Sequence, residues 1–250
     1  MHLAIHERIL CHPRRLFVRA GSPGSVRPLG MKLFRFRYSP YARKVQMVLD
    51  LLGVRYELVE VPYSDRDEIA RTTGGYIYVP VFVDDGGKVI VESRDICEHL
   101  TARGKGAGLV PSPLQGPIWG YHDFADGPLE DVLFRVASPA VRDAWPSPGD
   151  RALYVLVKER KFGAGCVDAW EKNQAALVER ARHLLAPSLE TLAARPFLFG
   201  DAPTLADAAL YGLCKMLEEA DPVLLPRVAE ALVPFVRGLE ERAAQAGLST

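Results

Sequence analysis

A proline stands where an apolar strand should begin. In Gly74-Gly75-Tyr76-Ile77-Tyr78-Val79-Pro80-Val81-Phe82-Val83, Pro80 opens the run, although proline has no N–H for a sheet ladder and is excluded from strand interiors. Such a residue belongs to a turn at the mouth of a strand, often as a cis peptide, with the preceding backbone unpaired and facing outward. An unpaired edge of this kind accepts an extended peptide through main-chain hydrogen bonds. Ser39-Pro40-Tyr41 lies upstream, between a strand and a helix, and Glu92-Ser93 lies downstream, also at a helix start. Three turn points with capping chemistry predict one small, anionic, peptide-like ligand.

The rest of the chain divides around this region. Leu33 to Tyr38 reads as a short aromatic-rich strand, and Pro40 supplies the first-turn proline of a helix carrying Val45, Val48, Leu49 and Leu52 up to Gly53. Tyr56 to Val61 reads as a second strand and Asp65 to Thr72 as a short helix. Pro80 to Asp84 and Lys88 to Val91 form a hairpin around Asp84-Asp85-Gly86-Gly87, and Ser93 starts a helix through Leu100. The order βαβ–ββα requires a parallel first pair, because only a crossover joins strands that way. Residues 104–117, rich in Gly and Pro, read as a linker. Beyond it, helical periodicity covers 118–135, 150–161, 167–194, 204–218 and 223–245, with Pro187 expected to kink or divide the third segment. The expected domains are therefore 31–103, α/β, and 118–250, all-α, after a basic extension at 1–30. Thr204 and Asp207 have the spacing of a capping box, with Asp in place of the usual Glu or Gln.

Composition narrows the function classes. The 250 residues carry 31 basic and 31 acidic side chains, so no global field favours nucleic acid or a membrane surface. No apolar run approaches the roughly eighteen residues of a membrane span. Cys11, Cys97, Cys166 and Cys214 show neither metal spacing nor a CxxC pair, which points to a reducing, cytoplasmic setting. Residues 1–30 hold five arginines against Glu7 alone, with His2, His6 and His12. A targeting peptide, a disordered functional arm and sequence upstream of a start at Met31 all remain open, the last being favoured. Those histidines could ligate a metal, but an unstructured segment accounts for them more simply, and no metal site is expected.

Taken together, Ser39-Pro40-Tyr41 after the first strand, Val79-Pro80 before the third, Glu92-Ser93 opening the third helix and the Gly200–Asp207 capping segment resemble the glutathione S-transferase family over about residues 31–245. The resemblance implies a thioredoxin-like βαβ–ββα domain followed by a helical-bundle domain. It implies a glutathione transferase that activates the glutathione thiol for transfer to a small apolar electrophile, as a homodimer. Glutathione would be a co-substrate, with no permanently bound cofactor. Val79 would pair its backbone with the cysteinyl unit beside Pro80. Glu92 would take the γ-glutamyl ammonium and Ser93, with the helix N-terminus, its carboxylate, a placement that agrees with the free N–H groups at a helix start.

Ser39 is the candidate catalytic residue, and the position is Ser rather than Cys, which disfavours thiol transfer. Lowering a thiol pKa of about 8.5 by about two units requires roughly 2.7 kcal/mol. A hydroxyl donating to the thiolate supplies about 1.5–3 kcal/mol, and the helix N-terminus about 0.3–1. The sum suffices without a metal. Tyr38 and Tyr41 are lesser candidates for the same task, and Arg43 either adds positive charge to the site or lies on a solvated face. Many relatives carry Lys, Arg or Gln in place of Tyr78, where the glycyl carboxylate binds. Tyr78 offers one hydrogen bond and no charge. The second substrate would lie against the helical half, with Tyr121, Phe162 and Cys166 as candidate lining and His122, Phe124, Trp145, Tyr154 and Trp170 as further aromatics. A non-catalytic interaction or regulatory protein of the same fold is the alternative, and an isomerase or dehalogenase would share the glutathione site.

Overall fold

The computed structural model describes residues 30–102 and 104–248. The basic extension, with its histidines and Cys11, lies outside the described residues. The N-terminal half runs β1 (Lys32–Arg35), α1 (Pro40–Leu51), β2 (Glu57–Glu60), α2 (Asp67–Thr73), β3 (Val81–Val83), β4 (Val89–Val91) and α3 (Ser93–Thr101). The sheet order is β2-β1-β3-β4, with β1 and β2 parallel and the other neighbours antiparallel. Side chains alternate across it. Leu33, Phe82 and Ile90 join the main core with Val45, Val48, Leu49 and Ile96, whereas Phe34, Val81 and Val83 pack with Ile69 on the opposite face. The period of two along each strand thus puts one layer of helix on each side of the sheet.

The C-terminal half is helical: α4 (Gln115–Phe124), α5 (Glu130–Ala144), α6 (Pro148–Phe162), α7 (Cys166–Lys172), α8 (Gln174–Ala194), α9 (Leu205–Ala220), α10 (Leu224–Ala229) and α11 (Leu232–Leu248). Three expectations change here. The Gly/Pro-rich stretch expected as a linker forms 3₁₀ turns over Gly104–Leu109 and Ser112–Leu114 and then enters α4. Pro187 does not divide its segment; α8 runs through it and the break falls at Asn173. Pro187 and His183 are exposed, so the carbonyl left without a donor faces water. The last segment divides into α10 and α11.

Between α4 and α5 the helix widens into one π turn, Ala125–Leu129, with Pro128 inside it. Proline lacks an N–H for the carbonyl of Phe124, and the chain accommodates the gap by a wider turn. The two halves share one continuous core, in which α1 packs mainly against α9 and also against α11 and α3. Gly212 makes that approach possible: a Cβ there would lie 2.3 Å from the Pro40 carbonyl oxygen and 3.0 Å from the Lys44 nitrogen. The first turn of α1 is thereby seated against α9. The described residues contain no helix long and apolar enough to cross a membrane.

Candidate functional site

Three turns emerge at one end of the sheet. Phe34 is paired with Val81 and Val81 with Val91, so β1 ends, β3 begins and β4 ends side by side. Ser39 follows β1, Val79-Pro80 precedes β3, and Glu92-Ser93 follows β4. The Val79–Pro80 peptide is cis. Val79 pairs with no backbone group among the described residues and is partly exposed.

Ser39 caps α1, its Oγ accepting from the Ala42 N–H at 3.3 Å. The cap uses an oxygen lone pair and leaves the hydroxyl proton free to donate. Capping and thiol activation are therefore compatible in one side chain.

Ser93 is the first residue of α3 rather than its cap. The cap position belongs to Glu92, whose φ of 66° and ψ of 124° are unusual for a residue with a side chain. Neither residue caps the helix through its side chain, which leaves the first-turn N–H groups and the buried Ser93 hydroxyl available to an anion. The Glu92 carboxylate is held by Tyr76, whose hydroxyl donates to Oε1 at 2.8 Å. Tyr76 was not among the residues singled out from sequence. Tyr78, 66% exposed, stands edge-on to it at 5.5 Å.

Arg43 serves the domain junction. Its side chain is buried, donating from Nε to the Arg37 carbonyl at 2.9 Å and pairing with Glu219 on α9 at 2.7 Å. Neither a free charge in the site nor a solvated face describes it. Burial lowers its pKa from the usual guanidinium value. Tyr38 is turned into an aromatic wall: its ring meets Trp145 at 5.2 Å, Trp145 meets Tyr63 at 4.7 Å, and Tyr63 meets Tyr154 at 5.8 Å.

Tyr41 interacts instead with the π turn and the start of α5. Burial, then the carboxylates of Glu130 and Asp126, raise its pKa above the usual phenol value, and Glu92 adds to this. Tyr41 therefore feels charges from both the turn at Glu92 and the helical half. Lys44 Nζ lies 5.6 Å from its ring centroid. Behind it, the buried Lys44 pairs with Asp126 and lies 2.9 Å from His122 Nε2. His122 Nδ1 lies 3.2 Å from Asp123, which in turn pairs with Arg94 next to Ser93.

The sequence matches the model of the glutathione S-transferase N-terminal domain over residues 33–107 and that of the C-terminal domain over 144–243. The chain belongs to the glutathione S-transferase family. It is 25% identical over 226 residues to glutathione S-transferase 4 of Zea mays, covering 86% of this chain and 89% of that one. A probable glutathione S-transferase of Nicotiana tabacum is 35% identical over 85 residues, 32% of this chain and 36% of the tobacco protein. Among solved structures, a glutathione S-transferase of Ceriporiopsis subvermispora in complex with glutathione superposes with a TM-score of 0.66 at 17% identity, covering 88% of this chain and 99% of that one. Glutaredoxin 2 of Salmonella typhimurium in complex with glutathione gives 0.63 at 19% identity, with 86% and 94% covered.

Within this glutathione S-transferase fold, the residues expected to line the second pocket separate. The Tyr121 hydroxyl lies 2.9 Å from Ser188 Oγ and its ring packs on Phe124 and Phe199, so it serves the helical core. Phe162 and Cys166 join Phe134, Val167 and Trp170 in a satellite cluster. Burial raises the Cys166 thiol pKa, so the thiol is not activated. The group that acts most strongly on Tyr41 is Glu130, the first residue of α5, which the sequence reading did not single out.

Proposed function

We propose that this protein is a glutathione transferase in which Ser39 activates the thiol of bound glutathione for attack on a small electrophile with an apolar body. The reading rests chiefly on the free proton of Ser39. The hydroxyl accepts the cap bond from Ala42 and retains a donor for a thiolate at the N-terminus of α1. The unpaired backbone of Val79 would hold the cysteinyl unit. Glu92, steadied by Tyr76, would take the γ-glutamyl ammonium. Ser93 and the open first turn of α3 would take the carboxylate beside it. Tyr78 would meet the glycyl end with a hydrogen bond and no charge. Glutathione acts as co-substrate.

Ser39→Ala tests the catalytic assignment. Turnover should fall at least tenfold, with a much smaller change in glutathione affinity; equal loss of both would give Ser39 a binding role only. The exposed, uncharged Tyr78 favours a second reading, a non-catalytic member of the fold. A folded protein that ignores glutathione-agarose and conjugates none of a panel of electrophiles would establish that reading against the first. A homodimer is part of the proposal, and sedimentation equilibrium decides it.

A further inference from the structure

We propose that Glu219, on α9 in the helical half, is a positioning residue for thiol activation: its carboxylate fixes the turn that aims the Ser39 hydroxyl. The inference rests on the glutathione-transferase reading above. Phe36 to Ser39 form a tight turn, closed by the Ser39 N–H donating to the Phe36 carbonyl at 3.0 Å, with Arg37 and Tyr38 at its centre. Glu219 holds this turn with both oxygens. Oε2 accepts from Arg37 Nη2 at 2.6 Å and from Nε at 3.1 Å, and Oε1 pairs with Arg43 Nη2 at 2.7 Å. Arg43 Nε donates in turn to the Arg37 carbonyl at 2.9 Å, and the Arg43 N–H to the Ser39 carbonyl at 3.0 Å. Side chain and main chain are thus both tied just before Ser39, and the same carboxylate ties Arg43 just after it.

The cap bond alone fixes the hydroxyl weakly. Its 3.3 Å from Oγ to the Ala42 nitrogen is long for such a bond, so the direction of Oγ depends on where the turn carries the Ser39 backbone. One face of α9 supplies that frame. Gly212 admits Pro40 and Lys44, and Glu219 lies about two turns further along on the same side. Burial pushes the Glu219 carboxyl pKa up, but Arg37, Arg43 and Lys215 outweigh it and hold the group below its ordinary value. The carboxylate is therefore ionised and available to both arginines at neutral pH. Its side chain is 20% exposed and that of Arg43 9%, so salt screens this pair little.

Position and charge predict opposite signs. Acting through space, a carboxylate opposes a nearby thiolate, so its removal should lower the thiol pKa. Acting through Ser39, its removal frees the turn, the hydroxyl leaves the sulfur, and the thiol pKa rises. A glutamine in its place offers one oxygen and an NH₂ that cannot accept from a guanidinium, so one of the two arginines loses its partner. An aspartate keeps the charge but is one methylene too short to hold both.

The test is a double-mutant cycle read by the thiolate absorbance of bound glutathione against pH, with Glu219→Gln and Glu219→Asp made in the unsubstituted protein and in Ser39→Ala. Misplacing a positioned group by about 1 Å costs about a hundredfold. Turnover of chlorodinitrobenzene in Glu219→Gln should therefore fall at least about fivefold, with glutathione affinity changed less than about twofold. The thiol pKa should rise by about 0.7, the same fivefold expressed as a pKa, and Glu219→Asp should raise it too, although the charge is kept. In Ser39→Ala neither change should raise it further. A thiol pKa that is unmoved or lowered in Glu219→Gln, or raised equally with and without Ser39, overturns the proposal and leaves Ser39 activation standing. If neither Glu219 variant folds, Arg37→Ala carries the same cycle, its side chain being 56% exposed: the rise should be larger with Ser39 present, and equal rises overturn the proposal. A bound thiol that titrates like free glutathione in the unsubstituted protein, or no binding at all, overturns the transferase reading, and this proposal with it.

Discussion

Glu92 combines a positive φ of 66° with a carboxylate held by a tyrosine hydroxyl. A non-glycine residue in such a conformation costs about 1–3 kcal/mol, retained where the side chain has work to do. Glu92→Gly should therefore leave thermal stability equal or raised while weakening glutathione binding by about tenfold or more. A fall in melting temperature with binding intact would show that the conformation serves the fold instead. Tyr76→Phe is the milder companion. Loss of one hydrogen bond to a charged group, about 1.5–3 kcal/mol, should weaken glutathione binding at least fivefold, measured by calorimetry. Glu92 was legible in sequence because it follows a strand and precedes a helix-starting serine. Tyr76 was not, because the contact spans sixteen residues and depends on how two turns meet.

The capping segment before α9 was the most legible element. Asp207 Oδ2 accepts from the Thr204 N–H at 2.8 Å and from its hydroxyl at 2.7 Å, and Oδ1 accepts from the Leu198 N–H at 2.8 Å. The box was readable from spacing, whereas the Leu198 bond, which ties the preceding loop to the helix, was not. Asp207 is fully buried, so Asp207→Ala strands three donors and should cost about 3–5 kcal/mol in chemical unfolding. A loss below about 1 kcal/mol would contradict the role. Gly212, one turn further along, carries no local sequence signal, since a glycine inside a helical pattern reads only as a tolerated weakness. Its role is set by Pro40 and Lys44 on a helix some 170 residues away in sequence. The extents of α1, α3 and α9 follow from proline, capping and hydrophobic period. The 3₁₀ turns after residue 104 and the unbroken α8 do not, because burial and solvent access overrode the Gly and Pro signals.

At the scale of the molecule, the junction between the halves carries charge that composition hides. Lys44 and His122 are each 1% exposed and meet Asp126 and Asp123 between α1 and α4. Burial, then Lys44, lower the His122 pKa, with Asp126 and Asp123 opposing. A depressed imidazole pKa means that the unfolded chain binds the proton more readily just below pH 6.5, so the contribution of His122 to stability falls as pH drops through that range. His122→Gln should remove this part of the acid destabilisation, giving a shallower fall of melting temperature between about pH 7 and 5.5. An unchanged slope would place the titration elsewhere. The balanced composition carries no signal of buried charge. A buried Lys–His–Asp junction arises only when the two domains are brought together.

The central claim is that the edge formed by Ser39, Val79-Pro80 and Glu92-Ser93 binds glutathione and lowers its thiol pKa through the Ser39 hydroxyl. Ultraviolet thiolate absorbance of bound glutathione, followed against pH, measures this directly. The account predicts an apparent thiol pKa about two units below that of free glutathione, a shift of roughly 2.7 kcal/mol, largely abolished in Ser39→Ala with binding retained. A bound thiol titrating like the free tripeptide, or a shift that survives in Ser39→Ala, would contradict it.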